Sequence, residues 1–148
     1  VNTATKSLLG NITEANYQEL IPVASEYWHE VLANMPSWLL VCNDEASGGE
    51  IREESINAYS VTFHALGILG HWLLKHDKSW KQTLKQLRDV NWSRSNVEWA
   101  GRCVVNGGMY NNTKAAKLTC AKIKQLIGVE LSESEIAAEQ ALQQEVPQ

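Results

Sequence analysis

The sequence contains no apolar run long enough to cross a bilayer. Its longest, Val61 to Leu74, is 14 residues and is interrupted by His64 and His71, whereas a spanning helix needs about 20. The start, VNTATKSLLG, has no basic stretch ahead of an apolar core, so no signal peptide is read there. Cysteine is scarce: Cys42, Cys103 and Cys120 are odd in number and lack CxxC spacing. That argues against a disulfide framework and against a zinc knuckle, and it fits a reducing compartment, the cytoplasm. The sequons at Asn11, Asn91 and Asn111 are then read as chance occurrences in an Asn- and Thr-rich chain. Phenylalanine supplies one of eleven aromatics and tryptophan six, which points to a core anchored by a few large side chains.

Basic residues are missing from whole stretches. Residues 1–74 hold only Lys6 and Arg52 against nine acidic residues, a net of −7. Residues 125–148 hold five glutamates and nothing basic, a net of −5. Between them, residues 75–124 carry +8, so the overall −4 conceals a strongly segregated chain. Such asymmetry suits an anionic partner, or the mutual attraction of parts of one domain. With 148 residues, 44% of them apolar, the chain is sized for a single domain with a real core.

The periodicities are helical almost throughout. Thr3 to Leu9, closed by Gly10, reads as the last turns of a helix, and a helix arriving without its beginning suggests a piece of something longer. Leu20, Val23, Tyr27, Val31 and Met35 make an amphipathic stripe, with Pro22 in a first turn or at a kink and Pro36 ending the segment. Asn43 to Gly49 reads as a loop hinged at Gly48-Gly49. A long central helix is expected from about Glu50 to His76, with Gly67 and Gly70 marking close approach of a neighbour. Asp77 is expected to cap a helix to about Arg88 that buries Trp80, Leu84 and Leu87. Asn91 to Asn112 is irregular, with a helical turn near Asn96 to Trp99, a short extended piece at Cys103 to Val105 and a turn at Asn106-Gly107-Gly108. Asn112 caps a helix to about Ile127 with Ala116, Cys120, Ile123 and Ile127 inward. Ser132-Glu-Ser-Glu135 is a capping box opening a last helix to about Gln144.

No catalytic or metal constellation is legible. His64 and His71 share a helix face but lie roughly 10 Å apart at 1.5 Å per residue, too far for one ion. His29 and His76 add no ligand spacing. The cysteines have no neighbouring base signature and read as buried, inert thiols. Glu50, Glu53 and Glu54 are explained by a helix start, and Gly107-Gly108 lacks the Lys and Ser/Thr of a phosphate loop. The expectation is no enzyme, no metal and no cofactor. The basic segment is the better candidate. Lys78, Lys81, Lys85 and Arg88 form one stripe, and Lys114, Lys117 and Lys124 a second, away from the buried face. Arg94 and Arg102 lie between them. These nine could meet DNA phosphates, or be solvated helix faces.

The most distinctive text is Asn91-Trp-Ser-Arg-Ser-Asn-Val-Glu-Trp-Ala-Gly-Arg102, followed by Ile123-Lys-Gln-Leu-Ile-Gly128. Earlier come Tyr27-Trp28, Pro36 and Trp38, Ile51-Arg52, His64-Ala-Leu-Gly67, Leu69-Gly70 and Trp80. This set resembles the C-terminal region of the DndB family of bacterial DNA phosphorothioation (DNA sulfur modification) systems, over most of residues 1–128. The resemblance implies a regulator of the modification gene cluster that binds promoter DNA, not the sulfur-inserting enzyme. The family's Asp-Gly-Gln-His-Arg motif belongs to an N-terminal domain and has no counterpart here. The resemblance thus makes residues 1–148 one helical domain, the C-terminal part of a longer protein. Trp92 and Trp99 read as packing anchors; Arg94 and Arg102 are open between phosphate contact and bracing of backbone carbonyls.

The expected fold is all-α, an irregular bundle of five or six helices around the long helix at about 50–76. The expected function is a DNA-associated regulator with duplex DNA as partner. The alternative is a helical interaction or dimerisation module that contacts itself or other components of the system, without direct DNA contact and without a membrane.

Overall fold

Two glycines decide how the central helices meet. In the computed structural model, which describes residues 2–145, Gly67 lies directly under the backbone carbonyl of Ala4, and Gly70 under the side chains of Leu8 and Tyr27. A side chain at residue 67 would press on the backbone of the neighbouring helix, and one at residue 70 would force Leu8 and Tyr27 to repack. The glycines sit in α5 (Ser60–His76), and the helix resting on them is α1 (Thr3–Leu9). Tyr27 comes from α2 (Tyr17–Ala33) and donates its hydroxyl to the Leu66 carbonyl at 2.5 Å. The close approach read from the sequence is therefore real, and it forms the centre of the core.

Among the described residues there are eight α-helices and one two-stranded hairpin. The remaining helices are α3 (Pro36–Cys42), α4 (Gly48–Glu54), α6 (Trp80–Leu84), α7 (Thr113–Leu126) and α8 (Glu133–Glu145). α5 packs most extensively on α1 and α7, and eight of its residues are buried. The all-α class is as expected. The count exceeds five or six for reasons visible in the residues. Pro36 does not simply end α2: it stands at the first turn of α3, where its missing N–H costs nothing. The expected loop at 43–49 is shorter, because Ser47 accepts the Glu50 N–H at 3.1 Å and starts α4 at Gly48. Gly48 and Gly49 are thus inside a helix rather than a hinge. Only Glu50 of the three glutamates occupies the first turn of α4; Glu53 and Glu54 end it.

The expected continuous helix from 50 to 76 is broken at residues 55–59. Ser55 is extended, Ile56 N–H donates to the Trp92 carbonyl at 2.9 Å, and Arg94 N–H donates to the Glu54 carbonyl at 2.8 Å. The irregular segment needs a backbone edge to bond to, and the break supplies it. The apolar periodicity of α5 itself begins only at Val61.

Other local signals hold. Asn2 caps α1 by accepting Thr5 N–H at 2.8 Å, so this helix does have a beginning among the described residues. Gly10 follows α1 at φ +77°, and the His71 ring nitrogen meets the Leu8 carbonyl at 3.0 Å. Pro22 lies in the second turn of α2, on its exposed side, and α2 continues unbroken through it. The stripe of α2 is buried only at Tyr27, Val31 and beyond at Met35; Val23 is exposed. β1 (Val104–Val105) pairs antiparallel with β2 (Gly108–Met109), and Asn106 and Gly107 both take positive φ, as a two-residue hairpin turn requires. No helix of the described residues is long and apolar enough to cross a membrane.

Candidate nucleic-acid interface

The first basic stripe is fixed from beneath. Asp77 accepts Ser79 N–H at 2.8 Å and the Thr83 hydroxyl at 2.5 Å, which closes the start of α6. Leu84 and Leu87 are fully buried, and Trp80 packs near the Tyr27 ring at 5.9 Å. From Lys85 to Asp89 the chain tightens into a 3-10 helix. There residues three apart eclipse one another, so Arg88 still falls in line with Lys85. Lys78, Lys81, Lys85 and Arg88 are all exposed. Two of them are tied to α2. Lys81 pairs with Glu26, whose hydrogen bond raises the ammonium pKa above its ordinary value. Arg88 donates Nε–H to the Asn34 amide oxygen at 2.7 Å. Lys78 and Lys85 have no ion-pair partner among the described residues.

The two arginines of the distinctive segment brace carbonyls. Arg94 donates to Gly107 O at 3.0 Å and to the Tyr59 hydroxyl at 3.3 Å, with its guanidinium over the Tyr59 ring. It ties the hairpin turn to the break before α5. Arg102 is buried: it donates to Leu118 O at 2.8 Å and meets the Glu139 carboxylate of α8 with both terminal nitrogens, one at 2.7 Å. It offers nothing to a phosphate in this arrangement.

The second stripe is divided. Lys114 and Lys117 are exposed on the first turns of α7, with Lys114 Nζ 3.9 Å from Glu145. Lys124 is not on that open face. It is 2% exposed, lies over the Trp72 ring, and pairs with Glu135 at 2.6 Å. The heptad arithmetic placed it beside Lys117, but α8 lands on that side of α7 and covers it. The two groups of lysines do not form one surface. Gln82, Thr83 and Gln86 share a groove with Ile127 to Glu130, at the far end of α7. Lys114 stands 13 residues earlier, about 20 Å along the helix.

Four of the five ion pairs among the described residues join the basic segment to an acidic one: Lys81 to Glu26, Arg102 to Glu139, Lys114 to Glu145 and Lys124 to Glu135. Much of the charge segregation therefore serves attraction within the domain. Sequence reasoning missed Glu26, Asn34, Glu135 and Glu139 as partners. Glu135 and Glu139, four apart in a helix whose charged residues are all acidic, carried the signal.

Two of the other histidines have local partners. His29 meets Ser25 O at 2.8 Å, and the His76 ring packs at a tilt against Trp72, centroids 4.7 Å apart. Burial pushes up the thiol pKa values of Cys103 and Cys120, the latter to about 12, so neither is a thiolate at neutral pH. Cys42 is exposed, contrary to the expectation of three buried thiols. No group of three His, Cys, Asp or Glu among the described residues is placed to hold a metal.

His64 lines a cavity with Asn2, Ser60, Phe63 and Thr113. Partial burial, and then the charge of Lys117, lower its pKa below the ordinary 6.5. Its protonated form is disfavoured in the folded state, so stability falls as pH drops through 6.5 toward the folded value. In an NMR titration His64 is expected to have its midpoint below 6.5, and Lys117→Gln to move that midpoint up. A midpoint unmoved by Lys117→Gln would remove the lysine as a cause.

Comparison with known proteins agrees with the distinctive segment. No curated protein and no solved structure matches the chain. The family model described as DndB, DNA-sulfur modification-associated, matches residues 1–130 and thus spans α1 to α7, including the Trp92–Arg102 segment and the α6 stripe. The chain belongs to the DndB family of DNA-sulfur modification-associated proteins.

Proposed function

We propose that the chain acts in its DNA sulfur modification system as a DNA-associated regulatory component, not as the enzyme that inserts sulfur. The observation that carries this reading is the row Lys78, Lys81, Lys85 and Arg88, exposed and held from beneath by buried Leu84 and Leu87 and half-buried Trp80. A row of cations on one edge suits the sugar–phosphate backbone and contributes affinity rather than sequence reading. Trp92 and Trp99 take no part in base stacking under this reading, being 8% and 0% exposed.

Four phosphate contacts correspond to a slope of log K against log[salt] of about −3 to −4. Lys78→Glu with Lys85→Glu is the cleanest variant, since neither lysine holds an ion pair. It is expected to weaken duplex binding by about tenfold or more and to reduce the slope by about 2. The measurement is fluorescence anisotropy on duplex from the control region of the modification genes, against an unrelated duplex. Unchanged affinity and slope would refute this surface.

That outcome would bring forward the second reading, a module that contacts itself or other components of the system. It too has an observation in its favour. On α3, Leu39, Leu40 and Val41 are 37–41% exposed beside the stacked Trp38 and Phe63 rings, a contiguous apolar stretch of the kind interfaces use.

A further inference from the structure

α8 is held to the rest of the molecule in an unusual way. Only one of its apolar side chains, Leu142, is buried, while Ile136 is 46% exposed. Its other anchors are charges: Glu135 on Lys124, Glu139 on Arg102, and more loosely Glu145 on Lys114. Cavities of about 360 and 380 Å³ open along its seam with α7, and Lys117 lines both. Buried ion pairs return little net stability, because desolvation offsets their attraction. A helix resting on one leucine and near-balanced charges is easily lifted. It also lies beyond residue 130, where the family match ends.

Beneath it is a cationic face. Lifting α8 exposes Arg102 and Lys124 and joins them to Lys114 and Lys117, four cations without an acidic neighbour on α7 itself. Glu135 and Glu139, about 6 Å apart along the helix, present a line of negative charge to that face. A duplex presents a denser one, about one charge per 1.7 Å of axis. We propose that α8 is a built-in acidic cover, and that the face under it is a second binding site for the DNA backbone, closed until the cover is displaced. This rests on the DNA-associated reading, and it adds that the chain restrains its own affinity.

The experiment keeps the full chain and loosens α8 in two ways. Leu142→Ala removes the apolar anchor without changing charge. Glu135→Gln with Glu139→Gln removes the two carboxylates that pair with Lys124 and Arg102, and Glu14→Gln with Glu45→Gln is the control of equal charge change at exposed positions outside α8. Binding of a duplex is followed against salt, and amide exchange of residues 133–145 reports the docking of the helix. Leu142→Ala and the Glu135/Glu139 variant are expected to lose protection in α8, to bind duplex about tenfold more tightly, and to steepen the salt slope by about 2 as Arg102 and Lys124 are released. The control is expected to change affinity less than about twofold, as a diffuse charge effect would. Equal gains in the control and the Glu135/Glu139 variant would overturn the proposal, as would α8 losing protection in Leu142→Ala without any gain in affinity. Should the Glu135/Glu139 variant fail to fold, Leu142→Ala decides. If the loosened chain gains affinity for a peptide of residues 131–145 and none for DNA, the face is a site for an acidic helix and the proposal fails. Parent binding that depends on Lys78 and Lys85 while α8 has no effect would sink the cover alone; no duplex binding by any variant would sink both.

Discussion

Gly67→Ala is expected to destabilise the domain by about 1–3 kcal/mol, although alanine is the better helix former by about 1 kcal/mol. A Cβ at residue 67 would overlap the carbonyl oxygen of Ala4 and crowd its carbonyl carbon at 3.0 Å. Backbone cannot rotate aside as a side chain can, so α1 must shift as a unit. That shift would disturb the bond between His71 and Leu8 O and the packing of Leu8. For a domain of this size the loss corresponds to a fall in Tm of about 2–10 °C. At Gly70 the obstacles are the Tyr27 ring and the Leu8 side chain. Some repacking is open there, so Gly70→Ala is expected to cost less than Gly67→Ala. A leucine at either position exceeds any such allowance. Gly49 provides the contrast, because its Cβ would meet only Ser47 Oγ at 3.8 Å. Gly49→Ala inside α4 is expected to be neutral or to stabilise by up to about 1 kcal/mol. Thermal melts of the three alanine variants test the order. A Gly67→Ala protein melting at or above the parent would show that α1 does not depend on that contact.

The glycine pair was legible because a glycine inside an apolar helix contradicts its propensity, and close approach is the ordinary compensation. Caps were legible for the same kind of reason. Asn112 accepts Ala115 N–H at 2.7 Å, and Ser132 and Glu135 exchange the two bonds of a capping box, because those signals live within four residues. What stayed hidden depends on distant chain. The break before α5 exists because Trp92 and Arg94 bond to Ser55, Ile56 and Glu54 across some forty residues, and no periodicity announces that. Lys124 read as a surface cation, and Arg102 stayed open between phosphate and carbonyl contact, because periodicity shows which face of α7 meets α5 but not where α8 will land. Exposed Lys78 and Lys85 were placed correctly by the same periodicity, since nothing later in the chain comes back to cover them. Of the nine cations, Lys78, Lys85 and Lys117 are exposed with no side-chain partner among the described residues, whereas Lys81, Arg88 and Lys114 are exposed but reach across the chain to Glu26, Asn34 and Glu145.

The largest effect of all is expected at Trp99. Its side chain is fully buried, its ring stacks on Trp92 with centroids 5.5 Å apart and planes 4° from parallel, and its indole N–H donates to Asn91 O at 2.9 Å. Trp99→Ala would leave a cavity under the segment that carries Arg94 and Arg102, at a cost of about 3–5 kcal/mol. The distinctive run from residue 91 to 102 has little regular structure, the 3-10 turn Val97–Trp99 and single bridges at Ser93 and Ala100, so this pair of rings anchors it where a helix would rely on its ladder. Phenylalanine substitutions separate packing from hydrogen bonding. Trp99→Phe loses part of the stack and one bond to Asn91 O, which still receives the Asn96 amide at 2.8 Å. Trp92 Nε1 has no partner among the described residues, so Trp92→Phe gives up no hydrogen bond and relieves a buried, unmet donor. Trp92→Phe is therefore expected to be the milder of the two by about 1 kcal/mol. Urea unfolding of the three variants gives the comparison, with equal m-values needed before the midpoints are converted. A Trp99→Ala protein within about 1 kcal/mol of the parent would mean the rings are not structural anchors. The stacking role toward bases, set aside on burial, would then have to be tested on DNA directly.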